Sequence, residues 1–142
     1  MTVRQTKLIG LLGDMSWEAS VLYYRLINQV AHRRMGGHHN ARSQMFRPDF
    51  DELNALAAQG DWTGVAAVVS DAAATLEKAG AEFALLTAVT PHTVADQLAG
   101  AIGMPMLHIA DPTGEAILAK GLARVGSWAS SPSACRHGSA SR

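Results

Sequence analysis

The stretch that most constrains the fold of this chain is its start. Lys7-Leu8-Ile9-Gly10-Leu11-Leu12 is a short apolar run closed by Gly13, and from Trp17 onward apolar residues recur at helical spacing. An apolar run bounded by glycine reads as a strand covered on both faces, because such a strand has no polar side to show. Ser16, just ahead of the periodic residues, reads as a helix N-cap. The loop between them, Gly13 to Ser16, then lies at the carboxyl end of a strand and the positive end of a helix. Open α/β folds bind small anions there.

Strand and helix signals go on alternating, which predicts βαβ units and a mainly parallel sheet with helices on both faces. The first helix is expected from Trp17 to Arg34, its apolar stripe made of Val21, Leu22, Leu26, Ile27 and Val30, with Gly36-Gly37 as the stop. Ala41 to Phe46 is a candidate second strand ending near Arg47-Pro48. Phe50 to Gln59 reads as a short helix. A second helix, capped by Asp61, runs through Val65, Val69 and Leu76 to Gly80, and Phe83 to Thr87 follows as a central strand. A helix carrying Val94, Leu98 and Ile102 leads to a strand from Met106 to Ile109. Asp111-Pro112 then opens a helix with Asp as cap. Ala123 to Trp128 is a candidate last strand. From Ser127 the sequence becomes rich in Ser and loses periodicity, so residues 127–142 are expected to be a disordered tail and residues 1–126 the folded domain. An abrupt change of this kind is what a shifted reading frame produces, and sequencing the source DNA past Gly126 tests that origin.

Composition narrows the partners. A chain of 142 residues suits one domain with its own core. Its 12 basic and 12 acidic side chains cancel, so the electrostatic footprint of a nucleic-acid or polybasic membrane binder is absent. Although 48% of residues are hydrophobic, no apolar run approaches the roughly 18 residues of a membrane span, and the start carries no signal-peptide pattern. The expectation is a cytoplasmic protein with a small-molecule or protein partner. The single cysteine, Cys135, excludes an intrachain disulfide and any multi-cysteine zinc site.

Several residues carry chemistry, each with a plainer alternative. The Gly13 to Ser16 loop presents backbone N–H groups and the Ser16 hydroxyl to a carboxylate, or is an ordinary strand-to-helix turn. Thr87-Ala88-Val89-Thr90-Pro91-His92 again joins a strand to a helix. There Thr90 either caps the helix or bonds a ligand, and His92 is either a general base or a structural residue. Arg42 and Arg47 lie on or after the second strand, where a guanidinium clamps a carboxylate in bidentate fashion or serves the surface. His38-His39 has the look of half a metal site, but no ligand cluster with matching spacing accompanies it. Cys135 has no basic pocket or helix start to activate it.

Taken together, Ile9 to Glu18, Tyr23-Tyr24-Arg25-Leu26-Ile27-Asn28, Gly36-Gly37, Asp49-Phe50 and Leu107-His108-Ile109-Ala110-Asp111 resemble the aspartate/glutamate racemase family, over residues 7 to about 126. The resemblance implies one half of a two-domain α/β fold and a cofactor-independent isomerase of amino acids. The substrate, aspartate or glutamate, is held between two similar halves. It implies a two-base reaction: one residue removes the Cα proton, and another on the opposite face returns a proton. The Cα–H is a very weak acid, so each base must be tightly placed and the carbanion held by fixed donors.

The first-half base implied by the resemblance is a Cys or Thr followed by Asn-Thr. The aligned residues are Ala88, Val89 and Thr90, of which Thr90 alone matches. Ala88 has no proton-accepting group. The resemblance therefore implies Met15, Ser16, Val89 and Thr90, with Arg47, as the substrate-binding set, and no catalytic residue. Asp14 replaces a family Gly, and the second half's Gly-Cys-Thr-Glu motif is not present. The expected function is a racemase-type domain that has lost turnover. The alternative is a degenerate carboxylate-binding or interaction domain, forming homo-oligomers through an exposed domain face.

Overall fold

The computed structural model describes residues 6–13, 17–87, 94–122 and 124–126. They belong to two compact units, Met1–Leu107 and His108–Arg142. In the first, β1 (Ile9–Leu12), β2 (Ser43–Phe46), β3 (Phe83–Leu86) and β4 (Met106–Leu107) make one sheet in the order β2-β1-β3-β4, every pairing parallel. Ile9 stands opposite both Ser43 and Phe83, and Ala84 opposite Met106. The predicted α/β class and the central place of the Phe83 strand are both found.

Strand order fixes where the helices go. The chain leaves β1 for β2 through α1 (Trp17–Met35), then crosses back over β1 to reach β3 through α2 (Phe50–Ala58) and α3 (Trp62–Lys78). Right-handed crossovers running in opposite directions put α1 on one face and α3 on the other. Alternation along the strands agrees. Leu12, Ala84 and Leu86 join Val65, Val69, Ala72, Ala73 and Leu76 of α3 in the core, together with Val94, Leu98 and Ile102 in and around α4 (Ala95–Ala101). Close approach of α3 depends on small residues. A Cβ on Gly10 would lie 3.1 Å from the Ala81 Cβ and 3.4 Å from that of Leu76.

Local signals set the helix ends. Asp49 caps α2 by accepting from the Asp51 amide at 2.8 Å, and Asp61 caps α3 by accepting from the Gly64 amide at 2.9 Å. Gly36 and Gly37 follow α1 with φ of 72° and 56°, and Gly80 follows α3 with φ of 93°, left-handed conformations that glycine adopts without strain.

The stripe expected to bury α1 does not do so. Val21, Leu22, Leu26 and Val30 are 53, 48, 45 and 37% exposed, and only Ile27 of the predicted set is half-buried. Ser20, Tyr23, Ile27, Ala31 and Met35 are the less exposed residues instead. The helix is apolar around much of its circumference, so hydrophobic spacing alone did not fix which side would meet the sheet. At the amino end of the strands, a groove of about 390 Å³ remains between Ile27, Ala31 and Met35 of α1 and Ile9 and Phe83 of the sheet.

The second unit contains α5 (Ala110–Ala119), closed by Lys120 and by Gly121 at φ 69°. Asp111, expected as its cap, lies inside the first turn. The helix starts earlier because the His108 Nδ1 accepts from the Ala110 amide at 3.3 Å and the Ile109 carbonyl accepts from the Thr113 hydroxyl at 2.7 Å. Arg124 to Gly126 have no regular structure, where a last strand was expected. Residues 127–142, the predicted tail, lie outside the described residues.

Candidate functional site

Strand order reverses between β1 and β3, with β2 beyond one and β4 beyond the other. At such a switch point the connections leave toward opposite faces and open a crevice at the carboxyl ends of the strands. The residues there are Leu12 at the end of β1 with Gly13 after it, Arg47 after β2 and Thr87 after β3. The sequence places Asp14, Met15 and Ser16 directly after the first of these and Ala88, Val89 and Thr90 directly after the last. All six, and His92, lie outside the described residues.

The described part of the crevice is tightly bonded. The Gly13 amide donates to the Phe46 carbonyl at 3.1 Å, extending the β1–β2 ladder by one rung. The Thr87 amide donates to the Leu12 carbonyl at 3.0 Å and does the same between β1 and β3. The Thr87 Oγ1 also donates to that carbonyl, at 3.3 Å, and lies 3.0 Å from the Ser20 Oγ of α1. Both hydroxyl residues are almost wholly buried.

Arg47 is the charged residue that the structure brings to this edge. Its stem crosses Gly13: a Cβ built there would stand 3.0 Å from the Arg47 Cγ and 3.3 Å from its Cδ. The residue is half-buried, and its Nε is buried without a hydrogen-bond partner among the described residues. A buried donor left unpaired costs about 1–3 kcal/mol, so its retention asks for an acceptor. Arg42, the other candidate clamp, is exposed at the opposite end of β2, where its Nη1 donates to the Thr6 carbonyl at 3.1 Å. It stands at the amino end of the sheet and contributes nothing to this site. His38 and His39 are exposed, and among the described residues no group of three or more His, Cys, Asp or Glu side chains is placed to hold a metal. None of the described helices is long and apolar enough to cross a membrane.

Sequence reasoning overlooked Ser20. The available signal was a hydroxyl residue seven positions before Ile27 and eleven before Ala31, on the same side of the helix. Thr87 is marked by the sequence only as the end of the central strand. Its hydroxyl turns to α1, on the same face as Leu85 and Leu11.

Comparison with known proteins agrees with the α/β fold. Residues 12–132 match the model of the Asp/Glu/hydantoin racemase family. Two solved structures superpose closely. A candidate Asp/Glu racemase from Yersinia pestis is 44% identical with a TM-score of 0.78, over 82% of this chain and 50% of that one. An aspartate racemase homologue from Pyrococcus horikoshii OT3 is 28% identical with a TM-score of 0.75, again over 82% of this chain and 50% of that one. The chain thus spans about half the length of both.

Proposed function

Because the chain belongs to the Asp/Glu/hydantoin racemase family, we propose that its carboxyl-edge site holds a small dicarboxylic amino acid or dicarboxylate and does not racemise it. The observation that carries this reading is the buried Nε of Arg47, without a partner among the described residues, on a side chain that lies over Gly13 at the switch point. A guanidinium offers two parallel N–H donors to a carboxylate, and a partly desolvated seat strengthens that pairing. Met15, Ser16, Val89 and Thr90 follow β1 and β3 in the sequence. In this reading they complete the ligand's surroundings, with Ser16 and Thr90 as hydroxyl donors. No cofactor is required.

The absence of turnover rests on Ala88. Proton abstraction from Cα needs a base within hydrogen-bond reach, and a methyl group supplies none. Calorimetric titration of the purified chain with L-aspartate, D-aspartate, L-glutamate and succinate tests binding. Incubation of the same amino acids in heavy water tests exchange at Cα. Binding without exchange is expected. Steady Cα deuteration catalysed by the chain overturns the non-catalytic part of the reading, and no heat with any ligand overturns the binding part.

A second reading, an interaction domain that pairs with another copy, is favoured by one observation. Trp17, Val21, Leu22, Tyr24 and Leu26 of α1 are all more than 40% exposed. Exposed apolar side chains on a helix favour association.

A further inference from the structure

Ser20 and Thr87 are 1% and 2% exposed, so neither hydroxyl reaches a ligand in the crevice, yet they join three elements at its base. A hydroxyl has one proton to give. With the Thr87 proton directed at the Leu12 carbonyl, Ser20 supplies the proton of the shared 3.0 Å bond. The bonds therefore run in one direction, from α1 through the exit of β3 to the exit of β1. The same Ser20 oxygen bears on Gly13. A Cβ at Gly13 would collide with the Ser20 Oγ and stand 3.0 Å from the Arg47 Cγ. The hydroxyl relay and the stem of the arginine thus meet in the space that a side chain at Gly13 would fill.

We infer that Ser20 and Thr87 are positioning residues of the carboxyl-edge site: their hydroxyl relay clamps the exits of β1 and β3 together and, through Gly13, sets the seat of Arg47. The inference rests on the carboxylate-binding reading for its functional consequence, while the clamp itself has a readout that needs no ligand. A packing role makes a different prediction. Valine reproduces the shape of Thr87 without its hydroxyl, whereas serine keeps the hydroxyl and drops the methyl. If shape is what matters, Thr87→Val is harmless. If the relay matters, Thr87→Val leaves the Ser20 proton without an acceptor and frees the strand exits.

The test combines amide hydrogen exchange with calorimetric titration by succinate on the full chain and on Thr87→Val, Thr87→Ser and Ser20→Ala. Thr87→Val and Ser20→Ala are expected to speed exchange of the Gly13 and Thr87 amides by about tenfold, the size of one lost hydrogen bond. Amides inside α3 should keep their rates. Succinate binding should weaken by a similar factor, and Thr87→Ser should restore both. Should Thr87→Val not fold, the double variant Ser20→Ala/Thr87→Val, which buries no orphan proton, is read in its place with the same expectation. Unchanged exchange at Gly13 and Thr87, equal acceleration in α3, or failure of Thr87→Ser to restore the amides overturns the clamp. Accelerated exchange with unaltered succinate affinity overturns the positioning role. If the unmodified chain binds no succinate, the carboxylate reading fails by itself, and the exchange rates still decide whether the clamp exists.

Discussion

Gly13 sits where no other residue fits. It has no need of a left-handed backbone; space is what excludes a side chain, because the Ser20 hydroxyl and the Arg47 stem already fill the place it would take. Gly13→Ala must push at least one of them out of place, and overpacking of this kind costs about 1–3 kcal/mol. A lower urea midpoint with an unchanged slope is the expected result. Arg47 makes the opposite prediction. Its buried Nε has no partner among the described residues, so Arg47→Met, which keeps the stem and removes the donor, should leave stability equal or raise it by about 1 kcal/mol. The same change should abolish binding of succinate or aspartate. Loss of stability together with intact binding would mean that the arginine is structural. A group kept at a cost to the fold is what a binding site looks like at this scale.

Among the elements, α3 and α1 make a contrast that composition does not foretell. Both are long and rich in apolar residues. In α3, Val65, Ala66, Val69, Ala72, Ala73 and Leu76 are all buried, while in α1 the buried residue is Ser20. Stability should follow burial. Leu86→Ala, on the sheet face that α3 covers, is expected to cost about 2–5 kcal/mol, and Leu26→Ala in α1 no more than about 0.5 kcal/mol. Chemical denaturation of the two variants checks the difference. Periodicity revealed that residues 17–35 form a helix, because helical spacing and the Gly36-Gly37 stop are local facts. Which side of that helix would turn inward was not local. Tyr23, Ile27 and Ala31 make a narrower stripe than Val21, Leu22, Leu26 and Val30, and the sheet selected the narrower one.

At the scale of the whole molecule, the outer side of α1 bears on association. Trp17, Val21, Leu22, Tyr24 and Leu26 are apolar residues of one helix exposed at 45 to 59%. Exposed apolar surface of large side chains favours association. Light scattering should therefore report a mass that rises with concentration, and Leu22→Glu/Leu26→Glu should hold it at that of a single chain. A mass independent of concentration in the unmodified protein would set the interaction reading aside. The two similar structures are about twice the length that this chain covers, so the same surface can also be judged by adding the remaining half of such a protein in trans.

The four paired strands, the helix stops, the cap at Asp61 and the α/β class were legible in the sequence, since each depends on residues within a few positions of one another. So was the family, carried by short blocks in a fixed order. Ala88 in the expected place of a base is a fact of sequence too. Tertiary structure alone decided the rest. The partnership of Ser20 with Thr87 spans 67 positions, and the passage of the Arg47 stem over Gly13 spans two strands. These contacts depend on strand order, and strand order arises from crossovers and packing that no local pattern encodes. The sequence put Gly13 at the end of β1 and named Arg47 as one of two candidate clamps; the fold decided that Arg47, and not Arg42, stands beside Gly13.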